Sequence, residues 1–113
     1  MLIERKNFKS YFGLFTFNFV EDPDRVWTGK TDEIRIEFSS PKFGENWMGV
    51  MFLQGRDEIH PDDITLAEIC PLTQERIDQF GEGTILNVNY GTYRIGTFKI
   101  LYVGKASPPS PKT

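Results

Sequence analysis

The sequence contains one histidine, His60, which stands close to two carboxylates, Asp62 and Asp63. A histidine beside acids has the residue types of a general base or of a metal ligand. A hydrolytic metal site normally needs three protein ligands, and the other acids of the chain are scattered. Aspartate also favours turns of the backbone. We therefore interpret residues 60–63 as a solvated turn, with no catalytic residue and no metal ligand.

Cysteine chemistry and phosphate chemistry are disfavoured as well. Cys70 is the only cysteine, so an intrachain disulfide and a thiolate metal cluster are excluded. It stands in an apolar stretch before Pro71, where a cysteine is usually a small core side chain. The sequence also lacks the phosphate-binding motif G-x-x-x-x-G-K-[ST], which excludes a GTPase of that class. We expect no enzyme activity and no cofactor.

The residue types best suited to binding stand on a predicted hairpin near the C-terminus. Tyrosine, asparagine and arginine are common in binding surfaces. The candidates on this hairpin are Asn87, Asn89, Tyr90, Tyr93 and Arg94. A solvated hairpin tip without any partner is an equally good interpretation.

A second candidate for binding is the aromatic pair Phe43 and Trp47, which flanks Gly44, Glu45 and Asn46. Exposed aromatic rings form platforms for a partner protein or for stacked bases. We favour the alternative, in which the pair is a lid on the core, because aromatic side chains are often buried.

Short strands with period-two alternation are predicted to position these candidates. The strand-like segments are 11–20, 33–38, 47–53, 64–70, 85–88 and 93–103. In the second segment Ile34, Ile36 and Phe38 alternate with charged residues, which predicts one buried and one solvated face. Residues 73–80 are short for an independent helix, and we expect a connection with local helical character.

The last two segments form a predicted hairpin around residues 89–92. Gly91 is placed to take the left-handed conformation that such turns require. Gly96 interrupts the alternation of the second arm, which predicts a bulge or a barrel corner. We expect this interruption to place residues 98, 100 and 102 on a different face from residues 93 and 95.

Short strands separated by turn signals predict an all-β fold, a small closed or nearly closed antiparallel β-barrel of about six strands. A chain of 113 residues sustains one core, so we expect one domain over residues 1–105. Residues 106–113 contain three prolines and predict an extended or disordered tail. A six-stranded barrel is too narrow to enclose a ligand, so storage of a small molecule is not expected.

The overall charge limits the classes of partner. The net charge is −3 and the thirteen Lys and Arg residues form no dense run. Nucleic-acid binding usually depends on a basic patch, so RNA is possible but disfavoured. No window reaches the 18 apolar residues of a membrane helix, and the charged N-terminus is unlike a signal peptide. We expect a cytoplasmic protein with no membrane partner.

The order of these signals over residues 27–104 resembles the C-terminal, third β-barrel domain of elongation factor Tu. The matching features are Gly29 and the strand 34–38, the strand 48–53, the turn His60–Asp63, the strand 64–72, and the final hairpin 83–104 with its spaced glycines. Asp62 stands where that turn has glycine, and the family's Gly-Gly-Arg run with its following Thr-Pro has no counterpart in residues 19–31. In that family the barrel helps to hold aminoacyl-tRNA, contacts the exchange factor and packs on the GTP-binding domain.

Together these inferences predict a stand-alone, non-catalytic module that binds a protein partner. Two alternatives remain, besides a small enzyme whose site the sequence does not reveal. One is a tRNA- or RNA-binding module related to translation factors, which the resemblance implies. The other is an immunity-type protein that neutralises a partner toxin. No small-molecule cofactor is expected in any of the three.

Overall fold

Alternating apolar residues form strands over most of the chain. The computed structural model describes residues 7–28, 33–42, 45–53 and 58–107. The strands in chain order are β1 (Lys9–Phe17), β2 (Trp27–Thr28), β3 (Ile34–Ser39), β4 (Asn46–Leu53), β5 (Glu58–Ile59), β6 (Ile64–Pro71), β7 (Ile85–Tyr90) and β8 (Tyr93–Lys105). A short 3-10 helix, Ile77–Gln79, lies between β6 and β7.

Six of these strands close into an antiparallel barrel in the order β1-β6-β4-β3-β7-β8, and β8 pairs back onto β1. The remaining two strands, β2 and β5, form a separate two-stranded sheet. The prediction of an all-β, six-stranded antiparallel barrel is therefore confirmed. Within the described residues, no helix is both long enough and apolar enough to cross a membrane.

Side chains that point inward fill the barrel. Those with almost no exposed surface include Phe15, Phe17, Phe38, Met51, Ile69, Leu86, Val88, Phe98 and Ile100. Each such side chain contributes roughly 1.5–3 kcal/mol when it leaves water, so this interior is the main source of stability. The predicted alternation of β3 is confirmed, because Ile34, Ile36 and Phe38 are buried and Arg35 is exposed.

Two different segments cover the two ends of the barrel. At one end the 3-10 helix packs over the opening, and the hydroxyl of Tyr11 donates a hydrogen bond to the carbonyl of Ile77 at 2.7 Å. At the other end lie residues 18–28 and the β2–β5 sheet. There the backbone N–H of Asn18 donates to the carbonyl of Ile95 at 2.9 Å. The predicted connection with local helical character is confirmed at the first end.

Strand β8 is bent by two bulges. Val88 pairs with Gly96 while the next residue of β7 pairs with Arg94, so Ile95 is the extra residue of a bulge. A second irregularity lies between β1 and β8, where Phe12 pairs with Tyr102 but Gly13 pairs with Ile100. The bulge predicted at Gly96 is confirmed, and such bulges supply the local bending that a narrow barrel requires.

The predicted assignment of faces around Gly96 is wrong. Ile95, Phe98 and Ile100 are all buried, whereas Tyr93 and Tyr102 are both exposed. The bulge adds one residue, so side chains three positions apart, rather than two, point into the barrel. The hairpin turn is also shorter than predicted, because Tyr90 pairs directly with Tyr93 and only residues 91–92 form the turn, with Gly91 at φ 61°.

A buried carboxylate fastens the C-terminal end of β8 to the outer wall of the barrel. The side chain of Glu68 is 3% exposed, and it accepts hydrogen bonds from the Ser10 hydroxyl at 2.6 Å and from the Ser107 backbone N–H at 3.0 Å. The backbone N–H of Ala106 donates to the carbonyl of Phe8 at 2.9 Å. The first two residues of the predicted tail 106–113 therefore pack on the barrel, and residues 108–113 lie outside the described residues.

Two glycines permit the close approach of β1 and β8. A Cβ atom on Gly13 would overlap the carbonyl oxygen of Lys99, and one on Gly96 would overlap the carbonyl oxygen of Thr16. Both obstacles are backbone atoms, which a rotamer change cannot move aside. Glycine is therefore required at both positions by contact distance.

We predict that Gly96→Ala lowers the free energy of unfolding by about 2 kcal/mol or more, because the strands must separate to admit the methyl group. Urea denaturation followed by circular dichroism measures the change. Gly81→Ala is the matched control, since a Cβ there meets nothing within 4 Å, and it should stay within about 0.5 kcal/mol of wild type. Equal stability of the two variants would contradict the close-approach argument.

The buried hydroxyl of Tyr11 makes the free energy of unfolding decrease at alkaline pH. Burial of its hydroxyl, with a smaller contribution from Asp78, raises the pKa of Tyr11 above its ordinary value of 10.0. Its contribution to stability is complete below about pH 10 and is lost as pH rises further, because only the unfolded chain then releases this proton.

We predict that Tyr11→Phe lowers the free energy of unfolding by about 1 kcal/mol at neutral pH through the lost hydrogen bond, and that the variant loses less stability than wild type above about pH 10. Parallel curves of unfolding free energy against pH for both proteins would contradict this.

Candidate functional site

A groove of about 860 Å³ opens at the end of the barrel opposite the 3-10 helix. Its walls come from three parts of the chain, which are the segment 19–28, the start of β3 and the tip of the β7–β8 hairpin. Four aromatic side chains line it, namely Phe19, Trp27, Tyr90 and Tyr93. We call this feature the aromatic groove.

The rings of the aromatic groove contact one another in pairs. Trp27 and Tyr90 meet edge to face, with ring centroids 5.0 Å apart and an interplanar angle of 86°. Phe19 and Tyr93 are tilted at 33° with centroids 5.5 Å apart. The guanidinium of Arg25 lies 4.9 Å from the centroid of the Phe19 ring. These contacts fix the rings in place before any partner binds.

Local turns and strand pairing together build the groove. After β1 the backbone turns twice, with the N–H of Asp22 donating to the carbonyl of Phe19 at 3.1 Å and the N–H of Arg25 donating to the carbonyl of Asp22 at 3.0 Å. The chain then enters β2, where Trp27 pairs with Ile59, a fully buried residue. This anchoring holds Trp27 at the end of the barrel, next to the hairpin tip.

The charged residues of the groove are predominantly acidic. Three carboxylates, Glu21, Asp22 and Glu33, line it together with two guanidinium groups, Arg25 and Arg35. Within the described part of the chain, none of these three carboxylates forms an ion pair. The described lining residues therefore carry one excess negative charge, and the three carboxylates can accept hydrogen bonds from a partner.

The structure separates the binding candidates predicted on the hairpin. Tyr90 and Tyr93 line the groove, and each is 45% exposed. Asn87, Asn89 and Arg94 lie on the adjoining outer wall, where the Nε–H of Arg94 donates to Oδ1 of Asn89 at 2.7 Å. That hydrogen bond stiffens the hairpin tip rather than adding to the groove.

The aromatic candidate Trp47 lies away from the groove. Trp47 pairs with Phe38 of β3, whereas the groove contains Ile34 of the same strand. Phe38 lies four residues after Ile34, which is roughly 13 Å along an extended strand. The half-buried ring of Trp47 packs against the core, and the guanidinium of Arg76 lies 5.5 Å from the ring centroid. Phe43, the other member of the predicted pair, lies outside the described residues.

Of the described residues that line the groove, only Tyr90 and Tyr93 were binding candidates from the sequence. A tryptophan that follows a charged turn is a weak local signal for Trp27. Residues 19–26 reach the groove through the turns after β1, whereas residues 33–35 reach it through the pairing of β3 with its neighbours, which no local pattern reveals.

The turn around His60 is confirmed. The backbone N–H of His60 donates to Oδ2 of Asp63 at 2.9 Å, and its ring Nε2 lies 2.9 Å from Oε1 of Glu58. Over the described ranges, no three His, Cys, Asp or Glu side chains are grouped to hold a metal ion. Cys70 is completely buried in β6, as expected for a small core side chain.

A second exposed apolar surface lies on the outer barrel wall where β1 pairs with β6. Leu14 pairs with Leu66, and the next outward pair is Thr16 with Ile64. Leu66 and Ile64 are 59% and 58% exposed. Lys99 pairs with Leu14 at the border of this surface, whereas the aromatic groove is concave and is lined by five charged residues, so the aromatic groove is the stronger candidate.

No family model matches the sequence, and comparison with curated proteins and with solved structures gave no match either. The closed antiparallel barrel is compatible with a small barrel domain. In the turn after β5, Asp62 adopts φ 69°, a region that glycine favours and that aspartate tolerates.

We predict that the groove tyrosines can be removed without unfolding the protein. Tyr93→Ala should cost no more than about 1 kcal/mol because the ring is half exposed, whereas Phe19→Ala in the floor below it should cost about 3–5 kcal/mol. Thermal and urea unfolding of both variants test this. A loss above about 3 kcal/mol for Tyr93→Ala would mean that this ring belongs to the core rather than to a contact surface.

Proposed function

We propose that this chain is a non-catalytic protein-binding module whose contact surface is the aromatic groove. The observation that carries the proposal is that Trp27, Tyr90 and Tyr93 gather in one concave site at the end of a barrel whose interior is filled. Tyrosine, tryptophan and arginine are the residues most enriched among those that dominate binding energy. The groove also carries two arginines.

The arrangement of the rings suits recognition without a large ordering cost. Tyr90 and Tyr93 flank a two-residue turn, and each contacts another aromatic ring. A partner therefore meets side chains that are already held, which reduces the entropy lost on binding. Covering two half-exposed tyrosine rings supplies apolar contact, and single aromatic anchors of this kind contribute about 2 kcal/mol or more.

Binding of RNA is the second candidate, and the groove supports it less. Tyrosine and tryptophan rings stack on bases, and two arginines lie nearby, which favours single-stranded nucleic acid. Three carboxylates line the same groove and would repel phosphate groups, and the net charge of the chain is −3.

The barrel and the geometry of Asp62 support a relation to the third domain of elongation factor Tu, and with it a cytoplasmic role near the translation machinery. An immunity-type protein that neutralises a toxin is the more specialised version of the same protein-binding function. Both proposals place the partner on the outer surface, because the barrel interior is occupied by core side chains.

A photo-crosslinking experiment tests the proposed surface. The photoreactive residue p-benzoylphenylalanine is placed at position 93, and irradiation is carried out in cells that contain the protein. We expect a discrete crosslinked species that resists nuclease and is removed by protease. Excess unlabelled wild-type protein should compete with it, and a Tyr90→Ala/Tyr93→Ala competitor should be at least about tenfold weaker, because two aromatic anchors are lost.

Position 102 is the matched control, because Tyr102 is an exposed tyrosine of the same strand that lies on the outer wall, stacked on Phe12. The same crosslinked species from both positions, or competition that is unaffected by loss of the two tyrosines, would refute the groove as the contact surface. A nuclease-sensitive species at position 93 would favour the RNA alternative.

A further inference from the structure

We infer that the partner presents a basic, extended segment, and that one of its arginine or lysine side chains enters the aromatic groove between the rings and the carboxylates. This inference rests on the proposed function, since it specifies the chemistry of the partner that binds there. Three features lead to it, which are the carboxylates of the groove, its aromatic faces and the small amount of free strand edge on the closed barrel.

The carboxylates give the groove its electrostatic preference. Glu21 and Asp22 stand on one wall, and Glu33 stands on another, at the start of β3. They form no ion pair with any other described side chain, so they offer acceptors for a partner's cation. Charge-assisted hydrogen bonds from a guanidinium or ammonium group to such acceptors are about twice as strong as neutral ones.

The aromatic rings also favour a cation. The face of an aromatic ring carries negative potential and attracts a cation within about 6 Å of its centroid. The groove already contains one such contact, because the guanidinium of Arg25 lies 4.9 Å from the centroid of Phe19. Tyr93 packs against that same ring, and it is 45% exposed, so it can receive a second cation from outside.

The barrel topology determines how a peptide can be recognised. Each of the six barrel strands pairs with a neighbour on both sides, although β3 pairs with β7 only over Glu37–Ser39, so the barrel offers little strand edge onto which a peptide could add a further strand. Recognition therefore relies mainly on side chains. A groove of about 860 Å³ is larger than one side chain, and it accommodates an extended segment of several residues around the basic anchor.

An acidic peptide and a single-stranded RNA are the competing occupants. Arg25 and Arg35 would have to dominate the groove for either to bind. Both arginines keep their charge, and the three carboxylates among the described lining residues still outnumber them by one. The balance of charge therefore favours the basic segment.

The test is an NMR titration of the ¹⁵N-labelled full chain with three defined probes. The probes are a heptapeptide that alternates arginine with glycine and serine, the same peptide with glutamate in place of arginine, and hexauridine RNA. We expect only the arginine peptide to shift the indole N–H of Trp27 and the backbone N–H groups of residues 90–94 in a saturable way. Binding should weaken several-fold between about 50 and 300 mM salt, because exposed charges are screened.

Two variants test the assigned groups. Glu33→Gln and Tyr93→Ala should each weaken the arginine peptide by about fivefold, through loss of one charge-assisted contact or one cation–π contact. Glu82→Gln removes an exposed acid that is not part of the groove, and it should leave the affinity unchanged. Asp22→Asn replaces Glu33→Gln if that variant fails to fold.

The inference is overturned if the glutamate peptide or hexauridine binds as tightly as the arginine peptide, if the shifts lie outside the groove, or if no probe causes saturable shifts. It is also overturned if Glu33→Gln and Glu82→Gln behave alike. If this titration fails but position 93 still forms a crosslink that excess wild-type protein competes away, the proposed function stands. Loss of that crosslink removes the proposed function itself.

Discussion

The close contact between β1 and β8 is the interaction on which the rest of the structure depends. A six-stranded ribbon closes only if its first and last strands meet, and here they meet at distances that exclude a Cβ atom on Gly13 and Gly96. Bulges in β8 supply the bending at the same places. Closure then leaves the barrel with little free strand edge, which protects it from pairing with other chains.

Closure also restricts where the protein can interact with another molecule. The barrel is so narrow that phenylalanine, leucine and isoleucine side chains occupy its interior, and none of that space remains for a ligand. Any contact surface is therefore on the outer walls or on the segments that cover the two ends. The end covered by residues 18–28 and by the β2–β5 sheet is concave, and it combines aromatic rings with charged side chains. The opposite end is closed by Tyr11 and the 3-10 helix.

Hydrogen bonds from polar side chains fasten two segments that strand pairing does not fix, the chain after β8 and the tip of the β7–β8 hairpin. Glu68 points outward from β6, yet it is buried, because Ser10 and the chain after β8 close over it. Arg94 and Asn89 brace the hairpin tip in a similar way. In both places a short charge-assisted hydrogen bond joins segments that are far apart in sequence or that turn sharply, and it positions the surfaces beside them.

The sequence by itself determined much of the local structure: the six barrel strands, the barrel class, the turn at His60 and the bulge near Gly96. These depend on alternation and turn chemistry, which act between neighbours in the chain. The sequence did not reveal which strands pair, and strand pairing determines which residues line the groove. Trp47 was a candidate, yet register places it toward the other end, whereas register and β2–β5 pairing bring Trp27 beside Tyr90. The error at Ile95 has the same origin, because a bulge changes the inward face only once a partner strand defines it.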